Sequence, residues 1–207
     1  MSLQLTEKKS KPTPISSQLM PLWNNGGHSD QSTQQIFNAS YNGFYSPITT
    51  FLDANATAAV HLVVLLTGHG SDGTYSCCEF LPTKHTFSVN GVPFEWKDTP
   101  GSGVLPPSLG DYGCAAQTPT GIEANGYGAW WLGRNGWCNG DYARPWVLDV
   151  TVAALGGATR ASGTHLVKLE YSASMWNTLA GKWTEPLSPD GYIILSSQLA
   201  VTLVGDV

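Results

Sequence analysis

Two segments of the chain concentrate residue types that recognise sugars and hydrolyse polar bonds. The first contains Gly68-His69-Gly70 and, a few residues later, Cys77-Cys78-Glu79-Phe80. The second runs from Trp130 to Gly140 and contains three tryptophans and Arg134. Tryptophan offers a flat apolar face to a sugar ring, arginine donates paired hydrogen bonds to oxygen acceptors, and a lone glutamate can polarise a water. These residues together predict a carbohydrate-binding site.

Each candidate residue also has a structural interpretation. Glu79 can cap backbone amides in a loop, Arg134 can brace the second segment through backbone carbonyls, and His69 can be a buried histidine beside a tight turn. At least one of Trp130, Trp131 and Trp137 is expected in the core. The histidines are scattered rather than paired as His-x-His, so the sequence indicates no metal site. They stand at positions 28, 61, 69, 85 and 165.

The elements that must position these residues are strands. Short alternating or apolar runs are separated by Gly, Pro, Asn and Ser, which is typical of an antiparallel sandwich. The predicted strands are 60–66, 85–89, 93–96, 145–151, 165–171 and 191–203, with weaker ones at Ile36–Phe37 and Phe44–Tyr45. Only Val152–Leu155 looks helical. We therefore expect an all-β jelly roll of about eight strands.

Composition excludes several classes of protein. Of 207 residues only 12% are charged, and aromatic residues are abundant at 11%, which opposes disorder. The net charge of −5 opposes binding to duplex nucleic acid. The longest largely apolar run, Ala58–Leu66, has nine residues with His61 among them, whereas a membrane-spanning helix needs roughly 20. We expect neither a nucleic-acid nor a membrane partner.

The chain divides into a polar beginning and one domain. Residues 1–17 are expected to be a flexible lead or linker, and residues 18–207 a single domain. Between Trp96 and Trp146 lie about fifty residues with little strand pattern, and a connection of that length is often functional. The four cysteines hint at export although no signal peptide is visible. We therefore expect a secreted or periplasmic protein.

The ordered motifs resemble the carboxy-terminal domain of the peptide-N-glycosidase F family, from about Met20 to the end of the chain. The resemblance implies an enzyme built from two eight-stranded jelly rolls lying side by side. Enzymes of that family hydrolyse the amide between asparagine and the first N-acetylglucosamine of an N-glycan. The long final motif is the most specific. The matching residues are Gly68-His69, Cys77-x-Glu79-aromatic, His85-Thr86, Gly113-Cys114 and Trp130-x-x-x-Arg134-x-Gly136-Trp137-Cys138-x-Gly140.

The resemblance implies a role for several residues. Glu79 takes the place of a glutamate important for activity, and Arg134 that of an arginine that contacts substrate. His69 and Trp137 take the places of residues lining the groove between the domains, where Trp130 is a further candidate for sugar binding. Cys114 and Cys138 take the places of a disulfide pair. The resemblance implies neither a metal nor another cofactor.

Two features depart from the family pattern. The family pairs a cysteine at the place of Cys77 with one four residues later, where this chain has Leu81. Cys77 and Cys78 are therefore free thiols, a vicinal disulfide or a link to another chain. In addition, the family's main catalytic aspartate lies on an amino-terminal jelly roll, and nothing before Met20 is long enough to be that domain.

Because that aspartate is missing, the source of the second carboxylate that an amidase needs is undetermined. It can come from a loop of this chain, at Asp72, Asp111 or Asp141, although a separate domain or subunit is the favoured source. Three hypotheses follow: one domain or subunit of a two-jelly-roll amidase acting on an N-glycan or glycopeptide, a non-catalytic glycan-binding module, and a structural partner domain.

Overall fold

The computed structural model describes residues 17–25, 35–70, 73–75, 77–79, 83–97, 123, 143, 145–156, 163–177 and 179–204. Within these residues the regular structure is nearly all β. The strands are β1 (Ser17–Asn24), β2 (Gln35–Ile36), β3 (Ile48–Asp53), β4 (Thr57–His69), β5 (Thr83–Val89), β6 (Val92–Lys97), β7 (Trp146–Asp149), β8 (Thr164–Asn177), β9 (Lys182–Thr184) and β10 (Tyr192–Leu203). A 3₁₀-helix spans Tyr41–Phe44, and the short helix α1 spans Thr151–Leu155.

The strands form two antiparallel sheets. The first sheet has the order β1-β10-β4-β7, with β2 beside β10, and the second has the order β3-β8-β5-β6, with β9 beside β8. Apart from the β5–β6 hairpin, the eight principal strands alternate between the two sheets along the chain. This order is that of a jelly roll, which confirms the predicted all-β architecture. The two short strands β2 and β9 extend it.

Alternation of side chains along the strands builds the interior. In β4 from Val60 onward, and throughout β5, every second residue is buried, because successive side chains point to opposite faces of a strand. The predicted turn at Asn90-Gly91 joins β5 to β6, with positive φ values of 49° and 82°. A two-residue hairpin of this kind needs positive φ at both central positions, which Asn and Gly adopt most readily.

The weak strand predicted at Phe44–Tyr45 is wrong. Residues Tyr41–Phe44 form the 3₁₀-helix instead, because Asn42-Gly43 favours a tight turn. Tyr41 at its start and Tyr45 just after its end are both buried in the core. Three strands, β1, β3 and β9, were not predicted. The strand β1 contains Pro21, which is tolerated because, among the described strands, β1 pairs with β10 alone and lies at the edge of the first sheet.

The inner faces of both sheets and the 3₁₀-helix enclose one core. Its centre is aromatic: the ring centroids of Tyr171 lie 4.8 Å from those of Tyr45 and Phe87. The largest side chains that are almost completely buried are Tyr41, Phe37, Phe87, Leu62, Leu155, Leu169, Met175, Ile193, Leu195, Leu199 and His85.

A chain of hydrogen bonds crosses this core. The Tyr41 and Tyr171 hydroxyl oxygens are 3.0 Å apart, the Tyr171 hydroxyl lies 2.7 Å from His85 Nδ1, and His85 Nε2 lies 2.8 Å from Thr83 Oγ1. Burial lowers the pKa of His85 to about 3 and raises the pKa values of Tyr41 and Tyr171 well above the ordinary tyrosine value. These groups are therefore neutral in the folded protein at neutral pH.

Candidate functional site

His69 lies at the end of β4, beside the start of β10. It is the direct cross-strand partner of Tyr192, and the two rings stack with centroids 5.3 Å apart and an interplanar angle of 18°. His69 Nε2 shares a hydrogen bond of 2.8 Å with Thr67 Oγ1. The imidazole is half-buried, so Tyr192 and Thr67 hold its orientation while part of it reaches the surface.

The segment containing Glu79 returns to the same strand end. The backbone N–H of Cys78 donates to the His69 carbonyl at 3.4 Å, and that of Glu79 donates to the Gly70 carbonyl at 2.9 Å. These two bonds hold the backbone of the Glu79 segment against the end of β4, at one end of the first sheet. Glu79 is half-buried. Carboxylates and imidazoles are groups that can exchange protons with a bound ligand, and the backbones of Glu79 and His69 both lie at this end of the sheet.

A vicinal disulfide anchors the Glu79 segment. The sulfur atoms of Cys77 and Cys78 are bonded to each other, and both residues are completely buried. The peptide between them packs directly on Gly191, where a Cβ atom would lie within 2.5 Å of Cys78 N. Of the three alternatives for these cysteines, the structure contains the vicinal bond.

Ser188 connects the disulfide to β10. Its side-chain oxygen accepts a 2.8 Å hydrogen bond from the Gly191 backbone N–H and donates to the Cys77 carbonyl at 3.5 Å. Its own N–H donates to the Phe37 carbonyl at 2.9 Å. Sequence reasoning missed Ser188 and Gly191, although the turn signal Pro189-Asp190-Gly191 pointed to a tight connection before β10.

Several predicted site residues lie outside the described residues. They are Arg134, Trp130, Trp137, Cys114 and Cys138, together with Asp72, Asp111 and Asp141. The described residues thus bring the backbone of Glu79 to the end of β4 that carries His69, and the functional roles of all the predicted site residues stay predictions from sequence. In the described part of the chain, no group of three or more His, Cys, Asp or Glu side chains is arranged to hold a metal ion. No helix there is long and apolar enough to cross a membrane.

The fold has counterparts among solved structures. A peptide-N(4)-(N-acetyl-beta-D-glucosaminyl)asparagine amidase matches with a TM-score of 0.57 and 17% identity, over 90% of this chain and 52% of its own. PNGase F, a glycosylasparaginase from Flavobacterium meningosepticum, matches with a TM-score of 0.58, 16% identity and the same coverage. PNGF-II matches with a TM-score of 0.54 and 14% identity, over 96% of this chain and 32% of its own. At these low identities, the TM-scores show a shared fold and nothing beyond it.

The matched region is part of longer proteins. This chain spans about half the length of the first two relatives and about a third of PNGF-II. No curated protein sequence matches it. The family model described as "Peptide-N-glycosidase F, C terminal" matches residues 40–199. That range includes β3–β9, most of β10, and the residues His69 and Glu79, which we call the Glu79 site. The chain therefore belongs to the family of the carboxy-terminal domain of peptide-N-glycosidase F.

Proposed function

We propose that this chain is one domain or subunit of an amidase that releases N-glycans by cleaving the bond between asparagine and N-acetylglucosamine. The observation that supports the proposal is the backbone pairing of the Glu79 segment with the end of β4, in which the Glu79 N–H donates to Gly70, the residue after His69, within the region matched by the family model. The solved amidase and glycosylasparaginase share this jelly roll. The activities for which these relatives are named support the reaction class.

The proposed mechanism divides the work between this chain and a second jelly roll. Amide hydrolysis needs an activated water, a proton donor for the leaving amine and hydrogen-bond donors for the oxyanion. In this scheme Glu79 assists the proton transfers and Arg134 donates to the developing oxyanion or the sugar. His69, Trp130 and Trp137 hold the first sugars of the glycan. The mechanism requires no metal or cofactor.

The second carboxylate is proposed to come from a partner domain. This chain spans 52% of each of the first two relatives, so it corresponds to half of a composite enzyme. An aspartate on the other half would activate the water, with Glu79 opposite it. Because disulfides persist in oxidising compartments, the Cys77–Cys78 bond supports a secreted or periplasmic location for both halves.

The first prediction concerns glycan release. The purified chain should release no glycan from a denatured glycopeptide alone, but should do so when combined with an Asp-bearing jelly roll of its own enzyme. In that assembly Glu79→Gln should lower the rate by about a hundredfold or more, because general acid–base groups contribute on that order. The measurement is released glycan per unit time by mass spectrometry.

Glu170→Gln is the matched control, because Glu170 is an exposed carboxylate on the outer face of the second sheet. It should leave the rate unchanged. Equal rates for Glu79→Gln and the assembled parent would overturn the catalytic role of Glu79. If N,N′-diacetylchitobiose binds but no assembly releases glycan, the glycan-binding module is favoured instead. If there is no binding and no release, a structural partner domain is favoured.

A further inference from the structure

A pair of tryptophans on the outer face of the second sheet takes no part in the Glu79 site. Trp176 lies in β8 between the buried residues Met175 and Asn177, so its side chain projects from the opposite, outer face. Trp183 in β9 is its direct cross-strand partner. The two rings meet edge to face, with centroids 5.6 Å apart and an interplanar angle of 77°. Both side chains are half-buried and keep part of their surface exposed.

Polar groups border this aromatic pair. Lys84 Nζ lies 5.7 Å from the centroid of the Trp183 ring and 3.4 Å from Glu95 Oε1. The side chains of Lys84 and Glu95 are 24% and 41% exposed, so both charges reach solvent. Ser174, directly across from Lys84 on the same face, has a buried hydroxyl with no hydrogen-bond partner in the described part of the structure.

We propose that Trp176, Trp183, Lys84 and Glu95 form a binding site for a neutral pyranose sugar, the tryptophan platform. An aromatic face packs on the apolar C–H face of a sugar ring, while the ring hydroxyls both donate and accept hydrogen bonds. The Lys84 ammonium can donate to a sugar hydroxyl and the Glu95 carboxylate can accept from one, in addition to their bond to each other. The pair carries no net charge, which favours a neutral ligand over an anionic one.

The Ser174 hydroxyl is closed to solvent, so the polar contacts that the platform offers to a ligand are those of Lys84 and Glu95. The platform shares no residue with the Glu79 site, so the inference goes beyond the proposed amidase reaction and does not depend on it.

The test is a titration of the full chain with N,N′-diacetylchitobiose, followed by ¹⁵N NMR of the tryptophan indole N–H groups. Spectra of Trp176→Phe and Trp183→Phe assign the two signals, since phenylalanine keeps an aromatic ring in each place. Both signals should shift in a saturable manner. The double variant Lys84→Met/Glu95→Gln should bind about threefold to tenfold more weakly at these signals, because it loses one donor and one acceptor.

Lys168→Met/Glu170→Gln is the matched control. It removes an ion pair of 2.7 Å from the same outer face, and exposed pairs of this kind contribute little to stability. Its binding should equal that of the parent chain, and Glu79→Gln should also keep the indole shifts, which separates the platform from the amidase site. Absence of saturable indole shifts would overturn the proposal, as would equal weakening by the two double variants.

Discussion

At the scale of single residues, His85 makes stability depend on pH. Burial lowers its pKa to about 3, whereas an unfolded histidine titrates near pH 6.5. Between these values the unfolded chain binds a proton that the folded chain does not. The stabilisation is therefore complete above about pH 6.5 and is lost as the pH falls, by roughly 1.4 kcal/mol per pH unit, until about pH 3.

The corresponding prediction compares two histidine variants. On acidification from about pH 7 to about pH 5, the parent should lose about 2 kcal/mol through His85. His85→Gln should remove this part of the loss, while His165→Gln, which changes a half-buried histidine of β8, should retain it. Urea unfolding at both pH values measures the free energies. Identical pH dependence in the two variants would show that His85 is not the responsible group.

Gly191 is a residue whose lack of a side chain is essential. A Cβ atom there would collide with the backbone between Cys77 and Cys78, and backbone cannot rotate away as a flexible side chain does. Gly191→Ala should lower the free energy of unfolding by about 3 kcal/mol. Gly43→Ala is the control, because a Cβ at Gly43 meets nothing within 4 Å. Urea midpoints report both changes, and a similar small effect for the two would contradict this packing.

At the scale of elements, the side chain of Asn42 completes the second sheet. Its amide nitrogen donates to the Ala173 carbonyl at 3.0 Å, and its amide oxygen accepts from the Ala173 N–H at 2.7 Å. It also donates to Glu185 Oε2 at 2.6 Å. Because β3 pairs with the first half of β8 and β9 with its end, Asn42 occupies the interval between them, as a strand residue would.

Removal of this bridge should have a local signature. Asn42→Ala should cost about 2 kcal/mol, because it leaves the backbone groups of Ala173 without these partners. The amide of Ala173 should then exchange with solvent at least tenfold faster. Asn55→Ala, in the exposed turn between β3 and β4, should change neither quantity. Hydrogen exchange followed by NMR measures the exchange rate of the Ala173 amide. Unchanged protection of that amide in Asn42→Ala would exclude the bridging role.

The strands themselves were predictable to different degrees. β4, β5, β6, β8 and β10 follow alternating or apolar runs that a local reading of the sequence detects. β3 has a similar pattern in Ile48, Thr50 and Leu52, and its β-branched residues were an overlooked signal. β1 is interrupted by Pro21, and β9 has only three residues. Their existence depends on β10 and β8, which supply the edges on which they pair.

At the scale of the whole molecule, the length of the chain fits its relation to a single domain of the peptide-N-glycosidase F family. The chain forms one jelly roll, while the first two solved relatives are about twice as long. A site at the end of one jelly roll can be completed by a neighbouring domain without any change in the fold described here. For this reason the proposed amidase activity is a property of an assembly, and the tryptophan platform is a property of this chain alone.

The sequence by itself determined the fold class, the Asn90-Gly91 hairpin and the motifs that identify the family. These are local properties, because strand geometry sends alternate side chains to opposite faces and a tight turn needs particular residues. Only the tertiary structure decided that Gly191 packs on the Cys77–Cys78 peptide and that Trp183 meets Trp176 and Lys84. Such contacts depend on strand register and on the folding of distant segments against one another, which no local pattern specifies.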